Sequence, residues 1–338
     1  MSPARSTLLR VGGFGVALAV LLTGGYAVGS AVGPVTGTGS DAGSDAGSAA
    51  DAGSGADAGS DADAAHDSGG HDEPATTDAS DLDLPGGLQV SDRGYTLVPV
   101  DVPATPGQEQ PLSLQILGPD GHAVTEFETT HDKKLHLIVV RRDLSGFQHV
   151  HPTMAPDGTW TIPFTFPEAG TYRMFADFEA TAADHGSTLG TDVDVAGAFT
   201  PVALPEPAQV AEVDGYEVTL DGELVPGTAS RLTLSIAKDG RPVTDLQPYL
   251  AAYGHLVALR GGDLAYLHVH PDGEPGDGRT EPGPEIVFYA EVPTEGDYRL
   301  FLDFQHDGVV RTAEFTATAH AAHGEQGDSA PSHGHGEE

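Results

Sequence analysis

The side chains of this sequence most able to do chemistry are imidazoles, and their spacing repeats. His136, His149 and His151 recur as His255, His268 and His270, each 119 residues further on. The last two of each set close the strings Phe147-Gln148-His149-Val150-His151-Pro152 and Tyr266-Leu267-His268-Val269-His270-Pro271. The first of each set opens an apolar run, His136-Leu137-Ile138-Val139-Val140 or His255-Leu256-Val257-Ala258-Leu259. Three imidazoles brought to one patch can hold a divalent metal ion through nitrogen.

Spacing says how they would meet. The runs at 136–140 and 147–151 are short, apolar and β-branched, and between them lie the turn formers Asp143, Ser145 and Gly146. That pattern predicts an antiparallel hairpin. With Val140 opposite Phe147, His136 stands opposite His151, their Cβ atoms about 5 Å apart on one face. His149, two residues from His151, shares that face. In the second copy Leu259 opposite Tyr266 puts His255 opposite His270. A slip of one residue would send the first histidine to the other face. Ile138, Val140 and Phe147 share the same face, so each cluster borders a core. The expectation is one metal site per repeat: His136, His149 and His151 in the first, His255, His268 and His270 in the second. Asp177 and Asp303 hold matching places near a strand end and would complete a nitrogen and oxygen ligand set. Nothing in the sequence brings them to the histidines, and pairing with Arg173 or Arg299 is as good a reading. His131, His185 and His306 have no counterpart in the other copy and rank behind. The plainer account of the clusters is structural, with hydrogen-bonded histidines at the rim of an apolar sheet.

Ligand chemistry narrows the metal. The chain has no cysteine and three methionines, Met1, Met154 and Met174, which disfavours a soft Cu(I) site and excludes a blue-copper centre. Imidazole with carboxylate suits Cu(II), Zn or Ni, of which Cu(II) or Zn is the reading taken. His268-Val269-His270-Pro271-Asp272-Gly273-Glu274 also matches the His-x-His-x3-Glu core of the first cupin motif. The first copy lacks that glutamate and the second cupin motif is missing, so a cupin-like metalloenzyme is a third reading. No serine-hydrolase elbow, phosphate-binding loop or dinucleotide fingerprint occurs.

The elements that would position these residues are strands. Runs at 95–100, 112–117, 135–140, 147–151, 160–166, 171–178 and 192–199 alternate with turn signals such as Gly118-Pro119-Asp120-Gly121. Short strands with no helical period predict an all-β fold of two tandem immunoglobulin-like or cupredoxin-like sandwiches. The run Gly170-Thr171-Tyr172-Arg173-Met174-Phe175-Ala176-Asp177-Phe178 is answered by Gly296-Asp297-Tyr298-Arg299-Leu300-Phe301-Leu302-Asp303-Phe304, now 126 residues later, so the second copy carries a longer loop within 272–285. Tyr172 and Tyr298 read as packing residues at a sandwich corner. The domains run over 88–203 and 212–318, joined by a proline-rich linker at 204–211.

Ahead of them, residues 1–10 carry Arg5 and Arg10, and residues 11–32 run without a charge, long enough to cross a bilayer. A transmembrane signal-anchor, with the rest of the chain outside the cytoplasm, is the reading taken. A cleaved signal peptide and a secreted protein is the alternative. Residues 33–87, rich in Ser, Asp, Ala and Gly, read as a disordered stalk, and 319–338 as a disordered tail holding four histidines. The formal net charge of −36 argues against a nucleic-acid partner.

The string His136…Arg142-Asp143-Leu144-x-x-Phe147-x-His149-x-His151-Pro152…Tyr172-x-x-Phe175-x-Asp177-Phe178 resembles that of bacterial extracytoplasmic β-sandwich domains, among them the YtkA-like and copper-resistance accessory domains. The second copy keeps the histidines and the Tyr-x-x-Phe-x-Asp-Phe run, with Gly262-Asp263-Leu264 in place of Arg-Asp-Leu. The resemblance implies a role beside heavy-metal transport. Two functions are therefore expected to compete. One is a non-enzymatic metal buffer, chaperone or transport accessory serving a membrane transporter or surface protein. The other is a metal-free adhesion or scaffold module.

Overall fold

The computed structural model describes residues 84–267 and 269–321, so the expected anchor, most of the stalk, nearly all of the tail and His268 lie outside the described residues. Both repeats belong to one compact unit of the chain. Among the described residues every regular element is a strand, and no helix is long and apolar enough to cross a membrane.

The first repeat contributes β1 (Ser91–Asp92), β2 (Tyr95–Asp101), β3 (Gln110–Leu117), β4 (Leu135–Arg141), β5 (Gln148–Val150), β6 (Thr153–Met154), β7 (Trp160–Phe164), β8 (Gly170–Phe178) and β9 (Ser187–Val195). The second contributes β10 (Val210–Val213), β11 (Tyr216–Asp221), β12 (Ala229–Lys238), β13 (Arg241–Pro242), β14 (Gly254–Arg260), β15 (Tyr266–Leu267), β16 (Val269–Pro271), β17 (Glu285–Glu291), β18 (Gly296–His306) and β19 (Val309–Ala319). Each repeat is a sandwich of an outer and an inner antiparallel sheet. The outer sheets run β1-β2-β3-β7-β6 and β10-β11-β12-β17-β16, and the inner sheets β5-β4-β8-β9 and β15-β14-β18-β19.

Alternation along β4 explains the layering. Leu135, Leu137 and Val139 face the first sandwich core with Met174 and Ala176 of β8. The residues between them, Ile138 and Val140, join a separate apolar cluster with Phe175, Val257, Leu259 and Phe301. That third cluster lies between the two inner sheets. Every residue of β4 is buried, because a sandwich covers one face and the other repeat covers the second. A strand covered on both sides reads as a continuous apolar run, which is what residues 135–140 show.

The packing between repeats is nearly two-fold. Phe147 stacks on Phe301 at 3.9 Å between ring centres, 6° from parallel. Their sequence counterparts, Tyr266 and Phe175, meet at 5.7 Å. This is an isologous contact, the kind two copies of one surface make with each other. Tyr172 and Tyr298 close matching corners, their hydroxyls donating to the carbonyls of Glu168 at 3.0 Å and Thr294 at 2.8 Å. Residues ahead of the first repeat clamp the pair. Gly86 O accepts from Tyr266 N at 2.9 Å, and Gly87 N donates to Thr188 O at 2.7 Å. Gly190 must be a glycine, since a Cβ there would lie 2.0 Å from the carbonyl oxygen of Gly87. The last strand of the first repeat, β9, starts five residues before the expected 192–199 run. The crossing at Gly190 and the polar residues Ser187 and Thr188 hide its beginning from a hydrophobic pattern.

Candidate metal centre

The site lies at one end of the apolar seam between the inner sheets. In the first repeat, Ile138 pairs with His149 and Leu137 with Val150. This register carries His149 and His151 to the face of β4 that holds His136. Beside β4, His136 pairs with Asp177 of β8. In the second repeat, His255 of β14 pairs with Asp303 of β18. The carboxylates therefore do share the histidines' face, through a β4–β8 and β14–β18 pairing that spacing alone could not supply.

Three ring nitrogens converge. The candidate ligand atoms of His136, His149 and His151 all lie within 4.8 Å of one another. His136 Nδ1 stands 3.1 Å from His149 Nε2 and 3.2 Å from His151 Nε2. Nitrogens on a tetrahedral zinc at its usual bond length stand about 3.3 Å apart, so the spacing suits a small cation.

Groups outside the cluster set two of the tautomers. His136 Nε2 lies 3.1 Å from the carbonyl oxygen of Thr130, which can only accept, so that nitrogen carries a hydrogen and Nδ1 keeps its lone pair. His149 Nδ1 donates to Asp303 Oδ2 at 2.8 Å, across the boundary between repeats. Asp303 is itself fixed, its Oδ1 accepting from the Thr312 hydroxyl at 2.5 Å. His255 follows the pattern of His136, its Nε2 donating to Leu250 O at 2.8 Å. Carboxylate or carbonyl behind a ligating imidazole is the usual outer support of a metal site.

Burial keeps His136, His151 and His255 neutral. It holds His136 down to about 3, helped by the neighbouring His149. It holds His151 at about 3 as well, again with His149 and then His136 adding to it. His255 is held to about 4 by burial, against the opposing Leu250 carbonyl. The Tyr249 hydroxyl, near His151 and His255, is pushed up to about 12 by burial and Asp303.

The second repeat does not reproduce the triad among the described residues. Its chain leaves the inner sheet after Leu267, and β16 pairs with β17 instead, placing His270 opposite Tyr289. The expected contact of His255 with His270 across a hairpin is corrected accordingly, since that stretch of backbone takes its hydrogen bonds from the outer sheet. In the first repeat the chain stays with β4 through Val150 and reaches the outer sheet only at Thr153. His255 packs instead against the first repeat's histidines, its ring 6.1 Å from those of His136 and His149. A small cavity of about 60 Å³ joins the two sets, lined among others by His131, His136, His149, Asp177, His255 and His270. Asp303 stands behind His149, not among the converging donors, and Asp177 accepts from the Thr188 hydroxyl at 2.8 Å.

One contributor was ranked low from sequence and another was not found. His131, with no counterpart in the repeat, sits 5.1 Å from His255 and 6.0 Å from His136, ring to ring. Thr130 acts through a backbone carbonyl, which no residue type announces. His306 belongs elsewhere, bonded to Tyr216 and Asp245 within the second sandwich.

One family spans both sandwiches. The family described as Domain of unknown function (DUF8832) matches twice, over residues 89–196 and 211–321. The chain belongs to that family. No curated protein matches the sequence. Among solved structures, alpha-2-macroglobulin of Escherichia coli activated by porcine elastase aligns at 12% identity and a TM-score of 0.23, over 68% of this chain and 20% of that one. The chain thus spans a fifth of that protein's length. A putative membrane anchored protein from Corynebacterium diphtheriae aligns at 11% identity and a TM-score of 0.20, over 68% of this chain and 59% of that one. Alignments this loose say nothing of the site.

Proposed function

We propose that this protein is a membrane-anchored, outward-facing module whose paired immunoglobulin-like sandwiches bind a divalent metal ion, Cu(II) or Zn(II), as a buffer, chaperone or accessory to a metal transporter. The observation that carries the reading is the meeting of His136 Nδ1 and His149 Nε2 at 3.1 Å, with the other nitrogen of each ring already committed. Two lone pairs that close repel unless a positive centre lies between them. A proton on one nitrogen serves a single neighbour, whereas a metal ion serves His136, His149 and His151 together. The depressed values of His136 and His151 favour neutral, ligand-ready imidazoles at neutral pH. Three nitrogens with a further position left to water or a partner's side chain suit a site that accepts and passes on an ion. The resemblance to copper-resistance accessory domains points the same way.

The His149–Asp303 pair also supports a metal-free reading, in which the histidines tie the two repeats of an adhesion or scaffold module together. A thermal melt of the full chain with and without Zn(II) or Cu(II), beside a His149→Ala/His151→Ala variant, separates the two. Metal at a hundred times its Kd adds about 2.7 kcal/mol, several degrees of Tm. A shift that the variant loses supports metal binding. An unmoved melting curve, with the variant merely less stable, overturns it in favour of the scaffold.

A further inference from the structure

We infer that the cavity between the repeats takes a second divalent cation, held by His131 and His255 beside the triad, with His270 lining its mouth. The inference rests on the metal reading above and goes beyond it in count, residues and place. The near two-fold packing sets the frame, with His136 and His255 in equivalent positions and their rings 6.1 Å apart and 25° from parallel. His255 is prepared in the same way as His136. Its Nε2 is committed to Leu250 O at 2.8 Å, which leaves Nδ1 with its lone pair.

His131 lies as close to His255 as the triad members lie to one another. Their ring centres are 5.1 Å apart, against 4.9 Å for His136–His151 and His149–His151 and 5.3 Å for His136–His149. His131 holds this place in a left-handed backbone conformation, φ 49°, uncommon for a residue other than glycine. His270 lines the same cavity. His131 and His270 also line a neighbouring surface pocket with Glu274 and Asp277 of the loop that lengthens the second repeat. Both are exposed, whereas His255 is half-buried and His136 buried. The second position therefore sits between solvent and the triad, with nitrogen donors suited to a borderline divalent cation and acidic side chains outside it. An ion there exchanges faster than one in the triad and stands on the way to it.

Counting ions tests this. The full chain with His66, His71, His320, His323, His333 and His335 replaced by alanine, to silence the termini, is dialysed to saturation against Zn(II). Two ions per chain are expected, falling to one in the added His131→Ala/His270→Ala variant, whose circular dichroism shows whether it is folded. One ion in the parent overturns the second site and leaves the proposed function standing. None overturns both. A second measurement needs no substitution inside the fold. Two adjacent Cu(II) ions couple magnetically, giving a half-field resonance or a signal weaker than the bound copper requires. Bound copper that accounts for full, uncoupled signal intensity overturns the second site.

Discussion

The two repeats carry the same motif and use it differently. In the first, the His-x-His strand stays on the inner sheet long enough to bring His149 and His151 to His136. In the second, the chain crosses to the outer sheet after Leu267, and His270 stands opposite Tyr289 of β17, exposed at the mouth of the cavity. The second repeat gives the first a carboxylate instead, Asp303, which orients His149. Duplication of sequence has produced duplication of fold, but a site shared between the copies. The difference turns on which neighbouring strand satisfies a few backbone groups just after the hairpin, since each buried one must find a partner.

The largest expected effect is on pH, and it asks whether the shared histidines act as one buried set. His136 and His151 are held to about 3 and His255 to about 4, against about 6.5 in an unfolded chain. Between those values the unfolded chain binds more protons than the folded one, so stability is complete above about pH 6.5 and is lost as pH falls toward 4. Each histidine contributes at most about 1.4 kcal/mol per pH unit. Urea unfolding of the metal-free protein at pH 7 and pH 5 should differ by several kcal/mol, and most of that difference should vanish in a His136→Ala/His151→Ala/His255→Ala variant. Equal stability at the two pH values would break the picture of a buried neutral cluster.

Next comes the seam. Phe301 is fully buried against Phe147, and Phe301→Ala should cost about 3–5 kcal/mol by denaturant unfolding. Because Phe301 faces the other repeat and not its own sandwich core, the variant should also split one unfolding transition into two. A single transition would show that the repeats are coupled through something other than this contact. Smaller still is Asp303→Asn, which removes the charge behind His149 and should weaken metal binding about 10- to 100-fold, read by competition with a chelating dye. Unchanged affinity would mean that the second repeat does not serve the first repeat's ligand. Smallest is Thr312→Val, which leaves Asp303 Oδ1 without its hydroxyl donor. It should cost about 1 kcal/mol in stability and only a few-fold in affinity.

The sequence by itself determined the two sandwiches, the hairpin register that collects His136, His149 and His151, and the tyrosine corners. All of these follow from local periodicity, turn chemistry and one internal repeat. It carried a hint of the seam as well, since 136–140 and 255–259 are apolar on both faces, though a single sandwich buries only one. Only the tertiary structure decided what lies on that second face. It placed Asp177 beside His136 and Asp303 beside His255, set Asp303 against His149, brought in His131 and the Thr130 carbonyl, and drew His255 and His270 to one cavity with His136 and His149. Those contacts join residues far apart in the chain. They depend on how two complete sheets dock, and no spacing within either repeat encodes that.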